Sequence, residues 1–122
     1  MPGKLNFKIY KGETFKYSLR WTDSSETPIN LTNYHARMHV RSSIESETIL
    51  LKFASDSALL PDGTITITPL TGEIDLYLGA TSTAAIDFES AVYDLELYNI
   101  ADPDDVTRLI EGRVSISPEV TR

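Results

Sequence analysis

The stretch from Ser90 to Pro118, SAVYDLELYNIADPDDVTRLIEGRVSISP, constrains the fold more than any other part of the chain. In its first arm Tyr93, Leu95 and Leu97 fall on one face, and Asp94, Glu96 and Tyr98 on the other. In its second arm Val106, Ile110, Val114 and Ile116 share a face, with Thr107, Glu111, Arg113, Ser115 and Ser117 mostly opposite. Successive side chains of a strand point to opposite faces, so this period of two predicts two half-buried strands. Between them Ala101-Asp102-Pro103-Asp104-Asp105 is a cluster of turn formers. Proline presets the backbone dihedral and aspartate bonds its own backbone, so the chain reverses here. Two long strands joined by a tight turn predict the central ribbon of an antiparallel sheet. No reactive constellation lies on it, and residue chemistry alone describes a scaffold.

The rest of the chain extends that sheet. Leu5, Phe7 and Ile9 share a face of a predicted edge strand from Lys4 to Tyr10, whose lysines discourage stray pairing. Lys11-Gly12-Glu13 breaks it, and Thr14 to Thr22 is a clean strand with Phe15, Tyr17, Leu19 and Trp21 on one face. An aromatic stripe at this spacing is read as packed core rather than a ligand platform. After the polar turn Asp23 to Pro28 and a short extended piece at Pro28 to Leu31, Tyr34 to Arg41 is the next strand. Tyr34, Ala36, Met38 and Val40 face inward, and His35, Arg37, His39 and Arg41 form an outer basic row that pairs with Asp94, Glu96 or a partner.

Glu47 to Ala54 reads as a further strand. Asp62-Gly63 reads as a tight turn before the β-prone Thr64 to Thr68. Pro69 to Gly72 interrupts, and Glu73 to Leu78 follows with Ile74, Leu76 and Leu78 inward. One short helical turn is expected near residues 81–88, capped by Thr81 or Ser82, with Ile86 and Phe88 packing beneath it. Tyr93, two residues before the core position Leu95, matches the corner tyrosine of immunoglobulin-like sandwiches, whose hydroxyl bonds upstream backbone. About eight short strands with regular turn signals and almost no helix predict an all-β, two-sheet antiparallel sandwich, with an open barrel as the alternative.

Composition enters mainly through what it excludes. At 122 residues the chain is expected to form a single domain over 1–122. MPGKLNFKIYK lacks the apolar core of a signal peptide, and no run approaches the roughly 20 apolar residues of a membrane span. With no cysteine there are no disulfides or thiolate metal sites. A net charge of −7 argues against nucleic acid as a partner, because phosphate contacts need clustered Lys and Arg. Residues 1–41 hold seven Lys/Arg and three Asp/Glu, whereas residues 42–122 hold four Lys/Arg and fifteen Asp/Glu. Interleaved in space, these make a solvated surface; segregated, they favour ordered self-association.

No candidate for catalysis survives inspection, and the expectation is that the protein is not an enzyme. His35 and His39 sit about 13 Å apart on a strand rising roughly 3.3 Å per residue, too far for one metal ion. Asp94 and Glu96 have the spacing of paired glycosidase acids, but an exposed strand leaves both ionised. Asp102, Asp104 and Asp105 offer hard oxygen ligands without the length or pattern of a calcium loop. Asn30-Leu31-Thr32 matches the glycosylation sequon and carries meaning only in a secreted chain. No cofactor and no metal is expected.

Several strings together, KGETFKYSLRW, TPINLTNYHARMHVR, DGTITITP, YDLELYN and VTRLIEGRVSISPEVTR, resemble small proteins encoded among the tail and baseplate genes of tailed bacteriophages. The chain is similar to the immunoglobulin-like N-terminal domain of phage baseplate upper proteins. The likeness covers nearly all of the sequence to Arg122, so a complete small protein is expected. The resemblance implies a β-sandwich serving as a virion part, an adaptor or baseplate/tail component that docks other virion proteins in repeated copies. It brings no catalytic residues. The His35-Arg37-His39-Arg41 row is more basic than the resemblance implies. His35, Arg37, His39, Arg41, Asp94, Glu96 and Tyr98 are the expected partner-binding residues, and Leu5 to Tyr10 the expected edge for strand addition. The alternative is a capsid decoration protein or glycan-binding surface adhesin using Tyr77 and Tyr98.

Overall fold

The computed structural model describes residues 3–120. Nine strands run in chain order: β1 Gly3–Lys4, β2 Phe7–Tyr10, β3 Phe15–Arg20, β4 Tyr34–Arg41, β5 Leu51–Ala54, β6 Gly63–Thr68, β7 Glu73–Leu78, β8 Ser90–Asn99 and β9 Val106–Ser117. A single short helix, α1 (Ala80–Ala84), and two 3-10 turns complete the described elements. One hydrogen-bonded path connects the strands in the order β1-β9-β8-β4-β5-β6-β7-β3, with β2 also on β9. The two ends of that path meet through side chains. Phe7 of β2 packs edge-on against Phe15 and Tyr17 of β3 at ring separations of 5.7 and 5.0 Å. The sheet therefore curls over a shared core.

The all-β expectation holds, and the antiparallel one fails at three ladders. β1 and β2 run parallel to β9, and β5 runs parallel to β6. The first case needs no tight turn, because nearly the whole chain separates the first strand from the last. Gly3 opposes Ile110 and Phe7 opposes Val114, so β1 and β2 share one register on β9, interrupted at Leu5 and Asn6. In the second case Asp62-Gly63 is not the hairpin turn that its residue types suggest. A 3-10 turn at Ser57–Leu59, ended by Leu60 in the left-handed region (φ 53), carries the chain back alongside β5. Gly63 instead packs under Phe53, where a Cβ would come within 2.5 Å of the ring.

The hairpin β8–β9 is as the alternation predicts, with β8 flanked by β9 and β4. Tyr93, Leu95 and Leu97 are buried, as are Ala36, Met38 and Val40 of β4 and Ile74, Leu76 and Leu78 of β7. Fully burying one such large aliphatic side chain contributes about 1.5–3 kcal/mol, and one continuous cluster gathers them. Two core assignments are corrected: Tyr17, read as packed core, lies at the rim with 37% exposure although its ring meets Phe7, and Val106 turns outward. Leu95 opposes Ile110 but Glu96 opposes Arg108, so Leu109 is the extra residue of a bulge. The slip of one residue turns Val106 outward to 40% exposure, while Ile110 and Val114 stay inside.

Two other local expectations change. The strand expected over Glu47 to Ala54 forms only from Leu51. The helix is capped by Gly79 without a side-chain bond, so neither Thr81 nor Ser82 caps it. Its fixed point is Thr83, which is fully buried. The Thr83 hydroxyl accepts the Gly12 N–H at 3.0 Å and lies 2.9 Å from the Glu13 carbonyl, joining α1 to the β2–β3 turn. The corner reading of Tyr93 holds in part. Its hydroxyl donates to upstream backbone, but to the Leu5 carbonyl at the β1–β2 interruption rather than to a local corner.

Candidate functional site

The β4–β8 register decides which outward side chains meet. Directly opposed residues of neighbouring strands share a face at close range. His35 opposes Tyr98, Arg37 opposes Glu96, His39 opposes Asp94 and Arg41 opposes Val92. β9 extends all four pairs outward: Val106 lies beside Tyr98, Arg108 beside Glu96, Glu111 beside Asp94 and Arg113 beside Val92. Lys4 of β1 completes the Glu111 row. All seven residues expected to contact a partner therefore lie on one outer face, arranged in four cross-strand rows.

Complementary charges fill the middle rows. Arg37 Nε donates to Glu96 Oε1 at 3.0 Å, and its guanidinium carbon lies 4.4 Å from the centre of the Tyr98 ring. Arg108 bridges Asp94 at 3.4 Å and Glu111 at 3.5 Å, while Lys4 pairs with Glu111 from the other side. The Lys4 hydrogen bond holds the Glu111 carboxyl below the usual carboxylate range. Partial burial raises the Asp94 carboxyl, an effect that Arg108 opposes. Burial lowers the His39 imidazole, and the nearby Arg41, Lys52 and Arg37 charges add to that effect. His39 is thus held toward its neutral form, although Asp94 stands opposite.

Between these rows and the loop after β4 lies a concavity of about 550 Å³. His39, Arg41, Ile44, Asp94, Arg108 and Arg113 are among its lining residues. His35 and Tyr98 stand at the other end of the face, their rings 5.8 Å apart. The hairpin turn beyond them is held by Asp105, which accepts from the Tyr34 hydroxyl at 2.8 Å. That bond raises the Tyr34 phenol.

Sequence reasoning missed Lys4, Ile44, Arg108, Glu111 and Arg113 as members of this face. Glu111 and Arg113 of β9 were visible as outward positions, whereas strict alternation put Arg108 on the side of Val106 and Ile110. Which β8 residues they join depends on the bulge, and that leaves no clear mark in the sequence. A serine near His35 was also missed. His35 Nδ1 and Ser55 Oγ lie 2.7 Å apart. The same oxygen accepts the Ala36 N–H at 2.8 Å and lies 3.3 Å from the Ala36 carbonyl, so Ser55 ties the end of β5 to β4. The Ser55 oxygen thus stands between the His35 ring and the backbone of β4.

Tyr77, the other aromatic singled out from the sequence, stands on β7 opposite Lys16 and Thr64, 45% exposed. It does not join Tyr98 in one binding platform. No described helix is long and apolar enough to cross a membrane. Neither a protein-family model nor a curated protein matches the chain.

Proposed function

We propose that this chain is a structural virion protein of a tailed bacteriophage, an adaptor or baseplate/tail component that works by docking other virion proteins. The observation that carries the reading is the outer face of β4, β8 and β9, where complementary charges fill the two middle rows of four cross-strand rows. Such a lattice fixes register and orientation of a partner more than it supplies raw affinity. The reading is recognition without chemistry, with no cofactor, nucleic acid or membrane involved, and it places the protein in the virion after assembly in the bacterial host cytoplasm.

The edge strand from Leu5 to Tyr10 is a second contact in this reading, since an outermost strand can extend a neighbour's sheet. We read the curled sheet as an immunoglobulin-like sandwich of two facing layers. The Phe15–Phe53 contact at 6.3 Å and the Phe7–Phe15 contact support that reading, because they join strands far apart on the sheet path.

The test is immunodetection of the chain in gradient-separated tails and heads from a lysate of the encoding virus. Presence with tails is expected, and reversing both charges of the Arg37–Glu96 row (Arg37→Glu with Glu96→Arg) is expected to deplete it there. Presence with heads alone would favour the decoration alternative. Absence from particles would overturn the reading.

A further inference from the structure

The concavity has one row that its own charges do not satisfy. Arg41 and Arg113 flank Val92 on neighbouring strands, and neither forms an ion pair among the described residues. Arg41 instead donates to the Ser46 carbonyl at 3.0 Å. Glu45 and Glu47 on the same loop make no described ion pair with it either. Beside this row Ile44 is 86% exposed. Two cations without an ion pair thus stand next to a bare aliphatic side chain. They call for an occupant that is acidic and carries one apolar group.

The same chain presents such an occupant at its other end. In the β8–β9 turn Ile100 is 57% exposed, and Asp102 and Asp104 are exposed beside it. The Asp104 carboxylate has no described partner, and Asp102 Oδ1 accepts only the Asp104 N–H, at 3.1 Å. The turn and the arginine row mark opposite ends of the β4–β8 ladder, which runs from Tyr34–Asn99 to Arg41–Val92. At roughly 3.3 Å per residue the ends are about 23 Å apart, so a turn cannot reach its own arginine row. It can reach that of a second copy.

We infer that copies of this chain associate head to tail, the Ile100–Asp104 turn of one seating on the Arg41, Arg113 and Ile44 end of the next. The inference rests on the adaptor reading and deepens it by naming a second copy as one partner. Contact between two different patches leaves a free patch of each kind after every addition, so it closes into a ring or continues as a filament.

The test is sedimentation velocity over a concentration series, in about 50 mM salt and again in about 1 M salt, where screening shrinks to roughly 3 Å. The natural chain is expected to exceed its monomer mass of 13.6 kDa at low salt and to return to it at high salt. Arg41→Glu with Arg113→Glu makes both patches acidic. Asp102→Asn with Asp104→Lys makes both basic while keeping an acceptor for the turn. Each variant alone is expected to stay monomeric, and an equimolar mixture to assemble again, because each supplies the patch that the other lacks. Far-UV circular dichroism confirms that both remain folded.

A natural chain monomeric throughout, a variant that assembles alone, or a mixture that does not assemble overturns the inference. None of these outcomes touches the tail-fraction result, which tests the adaptor reading by itself.

Discussion

Gly112 is where the first strand depends most sharply on a single missing atom. A Cβ built on it would stand 2.1 Å from the Leu5 carbonyl oxygen and 2.9 Å from Asn6 Oδ1. Contacts under 3.0 Å essentially never occur for real Cβ atoms, so Gly112→Ala drives the β1–β2 interruption about 1 Å away from β9. Three hydrogen bonds hold that interruption. Leu5 N–H donates to the Glu111 carbonyl at 3.0 Å, Arg113 N–H donates to Asn6 Oδ1 at 3.0 Å, and the Tyr93 hydroxyl donates to the Leu5 carbonyl.

At about 1 kcal/mol net for each bond, the loss is about 3 kcal/mol. Reduced freedom of the unfolded chain returns about 0.4–1 kcal/mol. The net cost of about 2–2.5 kcal/mol is a sizeable part of the roughly 5–15 kcal/mol that a domain has. Urea unfolding followed by circular dichroism is expected to show a lower midpoint with an unchanged slope. Tyr93→Phe alone is expected to cost about 1 kcal/mol. Because Gly112→Ala already separates Tyr93 from Leu5, the double variant is expected to fall short of the sum of the two. A Gly112→Ala loss below about 0.5 kcal/mol would refute the steric argument. Full additivity with Tyr93→Phe would refute the shared network.

Thr83→Val keeps the shape of the side chain but leaves the Gly12 N–H without its acceptor. A cost of about 1–3 kcal/mol is expected in urea, and Thr83→Ser is expected to recover most of it. Val106→Thr is expected to stay within about 0.5 kcal/mol of the natural chain because the bulge leaves that residue outside. Leu97→Ala, on the opposing strand but fully buried, is expected to cost about 2–5 kcal/mol in the same assay.

His39 sets a pH dependence. Its imidazole is lowered in the folded state, so the unfolded chain takes up that proton first. Stability is expected to be undiminished above the ordinary histidine value of about 6.5 and to fall as pH drops from there through the folded value. Asp94, raised in the folded state, works in the opposite sense, its contribution being lost as pH rises above the ordinary aspartate value. His39→Asn is expected to flatten the thermal midpoint between about pH 7 and pH 5.5, and an unchanged slope would refute the assignment.

Alternation in the sequence determined the strand content and most of the core. A residue's face follows from parity alone, so Met38, Ile74 and Leu95 were legible as interior and Arg37, Asp94 and Glu96 as exterior. It did not determine pairing. That β1 lies parallel on β9, or β5 on β6, depends on which edges find each other when the whole sheet curls, and no local residue type records it.

The site followed the same division. The basic row of β4 and the acids of β8 were each visible along the chain, and the prospect that the two charge-opposed halves interleave was visible with them. Only the registers joined His39 to Asp94 and Arg41 through Val92 to Arg113. One extra residue at Leu109 then decided which β9 side chains belong to the face, because a shift of one position in a strand exchanges inside for outside.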